Sequence, residues 1–142
     1  MPESGEQRLY FLLQRAAHQL RVDADRRCLA EVGITTAQLG ALFAIEANPG
    51  TTQQRLAHTL GQRESAITTL VGRLTTAGLV SKSAHPEQHR AVVLELTKKG
   101  AKALTDVRPE MEDFNANLRA TLGSDFDRVT TALGKIADTY GR

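Results

Sequence analysis

The sequence predicts a mainly α-helical fold of six helices with one β-hairpin after the fourth, and three observations carry that prediction. Apolar residues recur in steps of three and four along most of the chain, in stretches bounded by capping and breaking residues. Between about residues 79 and 96 the pattern changes to two short β-prone runs around a polar, basic connection. Aromatic residues make up only 4% of the chain and tryptophan is absent, so Leu, Ala, Val and Ile must build the core, which suits helix packing. A length of 142 residues fits one domain with a real core, and 41% hydrophobic with 24% charged residues is the composition of a folded globule.

Each element follows from local chemistry. Leu9, Leu12, Leu13, Ala16, Ala17, Leu20, Ala24 and Cys28 share one face of a long first helix that ends near Gly33. Thr35 and Gln38 have capping-box spacing for a second helix carrying Leu39, Leu42, Phe43 and Ile45, which Asn48-Pro49-Gly50 terminates. Thr51 and Gln54 repeat that spacing for a short third helix with Leu56, Ala57 and Leu60 inside, and Gly61 makes the turn. The fourth helix aligns Ile67, Leu70, Val71 and Leu74 and stops at Gly78, suited to a left-handed C-terminal position. Leu79 to Ser83 and Ala91 to Leu96 form the hairpin, joined by a loop from Ala84 to Arg90. Thr97 caps a fifth helix with Leu104, Val107, Met111, Phe114 and Leu118 in line. After a break at Gly123-Ser124, Ser124 and Asp127 stand in capping-box relation for a sixth, with Phe126, Val129, Leu133, Ile136 and Tyr140. The short break makes these two antiparallel neighbours.

A helix pair followed by a hairpin is a winged helix-turn-helix, an arrangement suited to gripping duplex DNA. The face of the fourth helix opposite its apolar stripe carries Ser65, Thr69, Gly72 and Thr76, flanked by Gln62, Thr68 and Arg73. Small, hydrogen-bonding residues are what a major groove admits, whereas carboxylates there would repel phosphate. Residues 51–99 hold seven basic side chains against three acidic, a local charge of +4 in a chain whose net charge is +2. The basic excess therefore sits on the winged segment. The terminal helices project from this compact module with little of its core to cover, so they are expected to form a dimer interface.

Residues 35–100 resemble the winged helix-turn-helix of the MarR family of bacterial transcriptional regulators. The resemblance lies in the six-helix order, Leu60-Gly61, Ser65, Ile67 with Leu70, Arg73-Leu74, Gly78-Leu79-Val80, His85-Pro86, Arg90-Ala91 and Leu96-Thr97-Lys98-Lys99-Gly100. It implies a homodimer that binds a pseudo-palindromic operator in double-stranded DNA, as a repressor of nearby genes released by a small aromatic or phenolic effector. It assigns residues 1–34 and 100–142 to dimerisation, with Leu12, Leu118, Val129, Leu133 and Ile136 at the interface, and residues 35–99 to DNA binding. Gln62, Arg63, Ser65, Ala66, Thr68 and Thr69 occupy the positions of base and nearby phosphate contacts. Arg73 stands at a phosphate clamp, Lys82 and His89 on the basic wing, and Arg90 at the wing arginine that enters the minor groove. Two positions depart from the family. Gln88 replaces an aspartate that orients the wing tip, and Arg63 replaces a small polar helix cap.

Other chemistry weighs less. Cys28 continues an apolar stripe and reads as a buried structural residue. It is the only cysteine, in keeping with a reducing, cytoplasmic location. His85, Glu87 and His89 alternate along the wing, but three ligands around Pro86 make a solvated loop and not a metal site. Arg15 and His18, with Arg21, could face an effector cleft. No nucleophile–base motif, Gly-rich phosphate loop or paired-acid frame supports an enzyme, and no cofactor is expected. The apolar run from Leu9 to Leu13 is too short for a membrane span or signal peptide. The alternative to a DNA-binding regulator is a winged-helix protein-interaction module without a DNA target.

Overall fold

The computed structural model describes residues 5–140, with side-chain exposure defined from Arg8. The order is α1 (Gly5–Val32), α2 (Thr36–Ala47), β1 (Thr51–Thr52), α3 (Gln53–Leu60), α4 (Glu64–Thr76), β2 (Val80–Ala84), β3 (Val92–Leu96), α5 (Lys98–Leu122), a 3₁₀ turn (Gly123–Asp125) and α6 (Phe126–Tyr140). Six α-helices and the hairpin match the sequence-based expectation. Among the described residues no single helix is long and apolar enough to cross a membrane.

Most local predictions hold because the capping chemistry is strong. Thr35 caps α2 and Gln38 reaches back to the Thr35 amide at 2.9 Å, completing the box. Thr97 caps α5 through the Gly100 amide at 3.0 Å. Beyond α4, Gly78 has φ 76° and the Leu79 amide donates to the Leu74 carbonyl at 2.9 Å, closing the helix end.

Three local expectations are corrected. Thr51 does not cap α3: it pairs with Leu94 in a third strand, β1, and Thr52 takes the cap by accepting the Arg55 amide at 3.2 Å. The sheet order is β1-β3-β2, all antiparallel, with Val80 opposite Leu96 and Ala84 opposite Val92. Strand pairing, available only once the wing has folded, outcompetes a local cap. Ser124 does not cap α6, because the 3₁₀ turn runs straight into it. Finally, α5 and α6 do not pack along their lengths as close antiparallel neighbours. They meet around the turn, where Arg119 lies 4.0 Å over the Phe126 ring, and open a groove lined by Leu118, Leu122, Phe126, Val129 and Leu133.

The core lies inside the winged module. Leu39, Leu42 and Ile45 of α2, Leu56 of α3, Ile67, Val71 and Leu74 of α4, Leu94 of β3, and Leu104 and Val107 of α5 are each 2% exposed or less. The apolar stripes of the terminal helices stay largely outside it. Leu12 is 46% exposed and Leu133 44%, no residue of α6 is buried, and only Cys28 of the α1 stripe reaches the core.

The first turn of α5 is seated on the chain that leaves α4. Gly100 is buried, and a side chain there would drive its Cβ into the carbonyl oxygen of Leu79. Gly100→Ala is expected to destabilise the protein by about 2 kcal/mol or more, because backbone must shift to relieve the overlap. A lowered urea midpoint at unchanged slope would show it, and wild-type stability would refute the packing described.

Candidate nucleic-acid interface and adjacent cavity

Gln62 and Arg63, just before α4, and Ser65, Ala66, Thr68, Thr69 and Arg73 on it are all exposed, while Ile67, Val71 and Leu74 on the other side of the helix are fully buried. Thr68 donates its hydroxyl to the Glu64 carbonyl at 2.9 Å and Thr69 to the Ser65 carbonyl at 3.3 Å. Both side chains are thereby turned back along the helix, leaving hydroxyl lone pairs and methyl groups for a neighbour. Arg63 stands at the N-cap with extended backbone (φ −71°, ψ 147°) and makes no side-chain cap bond. The first amides of α4 therefore lack the side-chain acceptor that a Ser or Asp would supply.

The wing brings Lys82 of β2 together with His85, His89 and Arg90 along one shallow concavity. Arg90 has φ 72°, the one positive φ outside glycine among the described residues. A left-handed arginine costs about 1 kcal/mol or more, so its surroundings must hold it. Next to it lies a turn that sequence reasoning missed. Nδ1 of His85 accepts the backbone amides of Glu87 at 3.0 Å and Gln88 at 2.9 Å, and the Gln88 carbonyl accepts the Ala91 amide at 3.2 Å. Gln88 thus serves the tip through its backbone, while the imidazole ties the loop. The available signal was an acceptor side chain two and three residues before amides in a Pro-containing turn, the pattern by which Asx turns form.

A cavity of about 230 Å³ lies between α1, α2 and α5. Ala24, Cys28, Leu39, Phe43, Met111 and Phe114 make it apolar, with Arg27, Glu110, Thr36 and Asn115 as its polar lining. An apolar cavity of ~150 Å³ accepts benzene, so this volume suits one substituted ring. Arg27 is held by Asp23 at 3.1 Å and approached by Glu110 at 3.8 Å, with its guanidinium 6.0 Å from the Phe114 ring centroid. Burial, with Asp25 and Glu110 adding repulsion, pushes the Cys28 thiol above its ordinary pKa, which suits a packing role. Arg15 and His18 are exposed on α1 and lie outside this cavity. The α1 residues that line it begin at Ala24, ~9 Å further along the helix axis from His18. Among the described residues no three metal-ligating side chains cluster.

Comparison with known proteins places this architecture. Residues 32–91, from the end of α1 to the wing, match the MarR family model, and a solved structure described as a MarR family transcription regulator superimposes on 92% of this chain and 91% of its own at TM-score 0.78 and 22% identity. The winged segment of this chain is similar to that of the MarR family. The chain is 31% identical over 102 residues to a Thauera aromatica protein assigned as a transcriptional regulatory protein for the hcr operon, a match covering 69% of this chain and 58% of that protein. The chain thus aligns with under two thirds of that relative's length. The repressor CouR bound to a 23-mer DNA duplex is 29% identical with TM-score 0.85, covering 96% of this chain and 99% of CouR. CouR has also been solved with p-coumaroyl-CoA, at TM-score 0.83 and 96% and 98% coverage. PcaV of Streptomyces coelicolor, solved with its natural ligand, is 25% identical with TM-score 0.78, covering 98% and 95% of the two chains.

Within this fold the cavity walls are tied by a charged hydrogen-bond pair. The Asp25 carboxylate of α1 accepts the Thr36 hydroxyl at 2.6 Å and the Thr36 amide at 2.8 Å, and these bonds hold its pKa below the usual carboxylate value. A carboxyl with a lowered folded-state pKa stabilises the fold above its unfolded pKa of ~3.9, and that stability is lost as pH falls through the folded-state value. Asp25→Asn is expected to cost about 1–2 kcal/mol near neutral pH. The difference from wild type should shrink as acid unfolding is approached; a pH-independent difference in urea titrations would contradict this account.

Proposed function

We propose that this protein is a homodimeric, sequence-specific DNA-binding regulator that represses nearby genes and is released by a small aromatic or phenolic effector. The observation that carries the reading is the exposed Ser/Thr/Gln face of α4 on the same module as a wing whose strained tip presents Arg90. Phosphate contacts by Arg63, Arg73 and Lys82 would give salt-dependent affinity, and Gln62, Ser65, Ala66, Thr68 and Thr69 would face base edges. His89 and Arg90 would sit at the minor groove, whose negative potential favours a guanidinium.

The dimer reading is supported by unpartnered apolar surface at both ends of the chain. Leu9, Tyr10, Phe11 and Leu12 of α1, with Leu133 and Ile136 of α6, are large and exposed, and the α5–α6 groove containing Leu118 and Val129 is unfilled within one protomer. A patch this extensive usually marks an interface. A two-fold dimer would read half-sites on the order of 10 bp apart, centre to centre.

Effector release is supported by the position of the cavity. Its walls come from α2 in the reading module and from α1 and α5 in the proposed dimer arms, so a ligand that prefers one arm angle would shift the spacing of the two reading helices. CouR has been solved both on DNA and with a ligand, a pairing consistent with this cycle.

Three outcomes test the proposal. Arg90→Ala should weaken binding to a duplex selected by the wild-type protein and lower its salt slope by about one unit; an unchanged slope in anisotropy titrations would remove the wing from the contact. Leu133→Asp should convert dimers to monomers in sedimentation velocity, and a persistent dimer would place the interface elsewhere. Gly40 lies in the cavity wall with no atom within 4 Å of an added Cβ. Gly40→Leu should therefore fill the cavity, preserve DNA binding and abolish release by phenols or aromatic acids. Retained release would locate the effector outside this cavity.

A further inference from the structure

The connection between β2 and β3 is ordered by a single side chain. The His85 amide donates to the Ala91 carbonyl at 3.0 Å and closes the loop, while the same residue's Nδ1 gathers the Glu87 and Gln88 amides inside it. The Gln88 carbonyl then accepts the Ala91 amide, and Arg90 is caught between these anchors in its left-handed conformation. We infer that His85 is a positioning residue of the wing: its imidazole, acting as an acceptor, imposes the tip geometry that aims Arg90. This rests on the reading that the wing contacts DNA.

The chemistry requires one protonation state. Two amide donors converge on Nδ1, so the ring must carry its proton on Nε2. A second proton at Nδ1 would turn the acceptor into a donor facing two donors, and the tip would open. The other charged and titratable groups of the wing are Lys82 from β2, Glu95 from β3, and Glu87, His89 and Arg90 within the tip, and Glu64 of α4 faces Gln88 and Arg90 across a shallow concavity.

The test uses the full chain and a duplex selected by the wild-type protein from a randomised pool, with binding read by anisotropy at roughly pH 8, above the usual imidazole range. His85→Leu is expected to bind roughly tenfold more weakly, with a salt slope smaller by about one unit, the loss of one well-placed guanidinium contact. His85→Asn, whose carbonyl can accept the same amides, should retain most of the affinity. Long-range ¹⁵N–¹H correlation of the free protein should show His85 as the Nε2–H tautomer. An Nδ1–H tautomer, or His85→Leu matching wild type in affinity and slope while Arg90→Ala is impaired, would overturn the role of His85 and leave the wing contact standing. A wild-type protein that selects no duplex would overturn both.

Discussion

The structure depends on how the carbonyls of the segment that follows α4 are satisfied. A helix end leaves acceptors without internal partners, and here the start of α5 supplies donors to the segment beyond it. Lys99 Nζ reaches the Ala77 carbonyl at 2.8 Å, the Thr97 hydroxyl reaches the Gly78 carbonyl at 2.6 Å, and the Thr97 amide reaches the Leu79 carbonyl at 3.2 Å. Gly100 lets the two backbones approach, since any Cβ there would meet the Leu79 carbonyl. One junction thus ends the exposed helix, launches the wing and sets the direction of the long helix that leaves the module.

That junction explains how a small core can govern distant surfaces. The fully buried Ile67, Val71 and Leu74 fix the rotation of α4, so its Ser65, Thr69 and Arg73 side must face outward. Leu94 anchors β3 between β1 and β2, and the pairing of Ala84 with Val92 carries the register out to the tip. Beyond that point the ladder ends, and side-chain chemistry at His85 takes over from strand pairing. A left-handed Arg90 can persist there because Gln88 and Ala91, which bracket it and His89, are tied.

The cavity sits where two kinds of attachment meet. Asp25 ties α1 to α2 through Thr36, and Arg108 ties α5 to α2 through Glu46 at 3.0 Å, with its guanidinium 5.9 Å from the Phe43 ring centroid. Between these ties lies apolar space lined by Leu39, Met111 and Phe114. Polar contacts around a mainly apolar interior hold three helices in register without filling the volume they enclose. In the proposed regulatory cycle, that arrangement makes the angle between the arms and the reading module the adjustable quantity.

Local chemistry by itself determined the helix order, the caps at Thr35 and Thr97, the stop at Gly78 and the two-faced character of α4, because each depends on residues within about one turn of one another. Tertiary structure decided what depends on distant partners. Thr51 belongs to a strand because Leu94 arrives beside it, and Thr52 becomes the cap as a result. The cavity lies at Ala24, Arg27 and Cys28 and away from Arg15 and His18 because α5 crosses α1 at that level. His85 became the wing's organiser only when the loop folded back to present two amides to one ring nitrogen. The periodicity of α1, α5 and α6 was legible, but its burial was not: spacing says which side of a helix is apolar, and only the fold shows that this chain alone leaves much of that side uncovered.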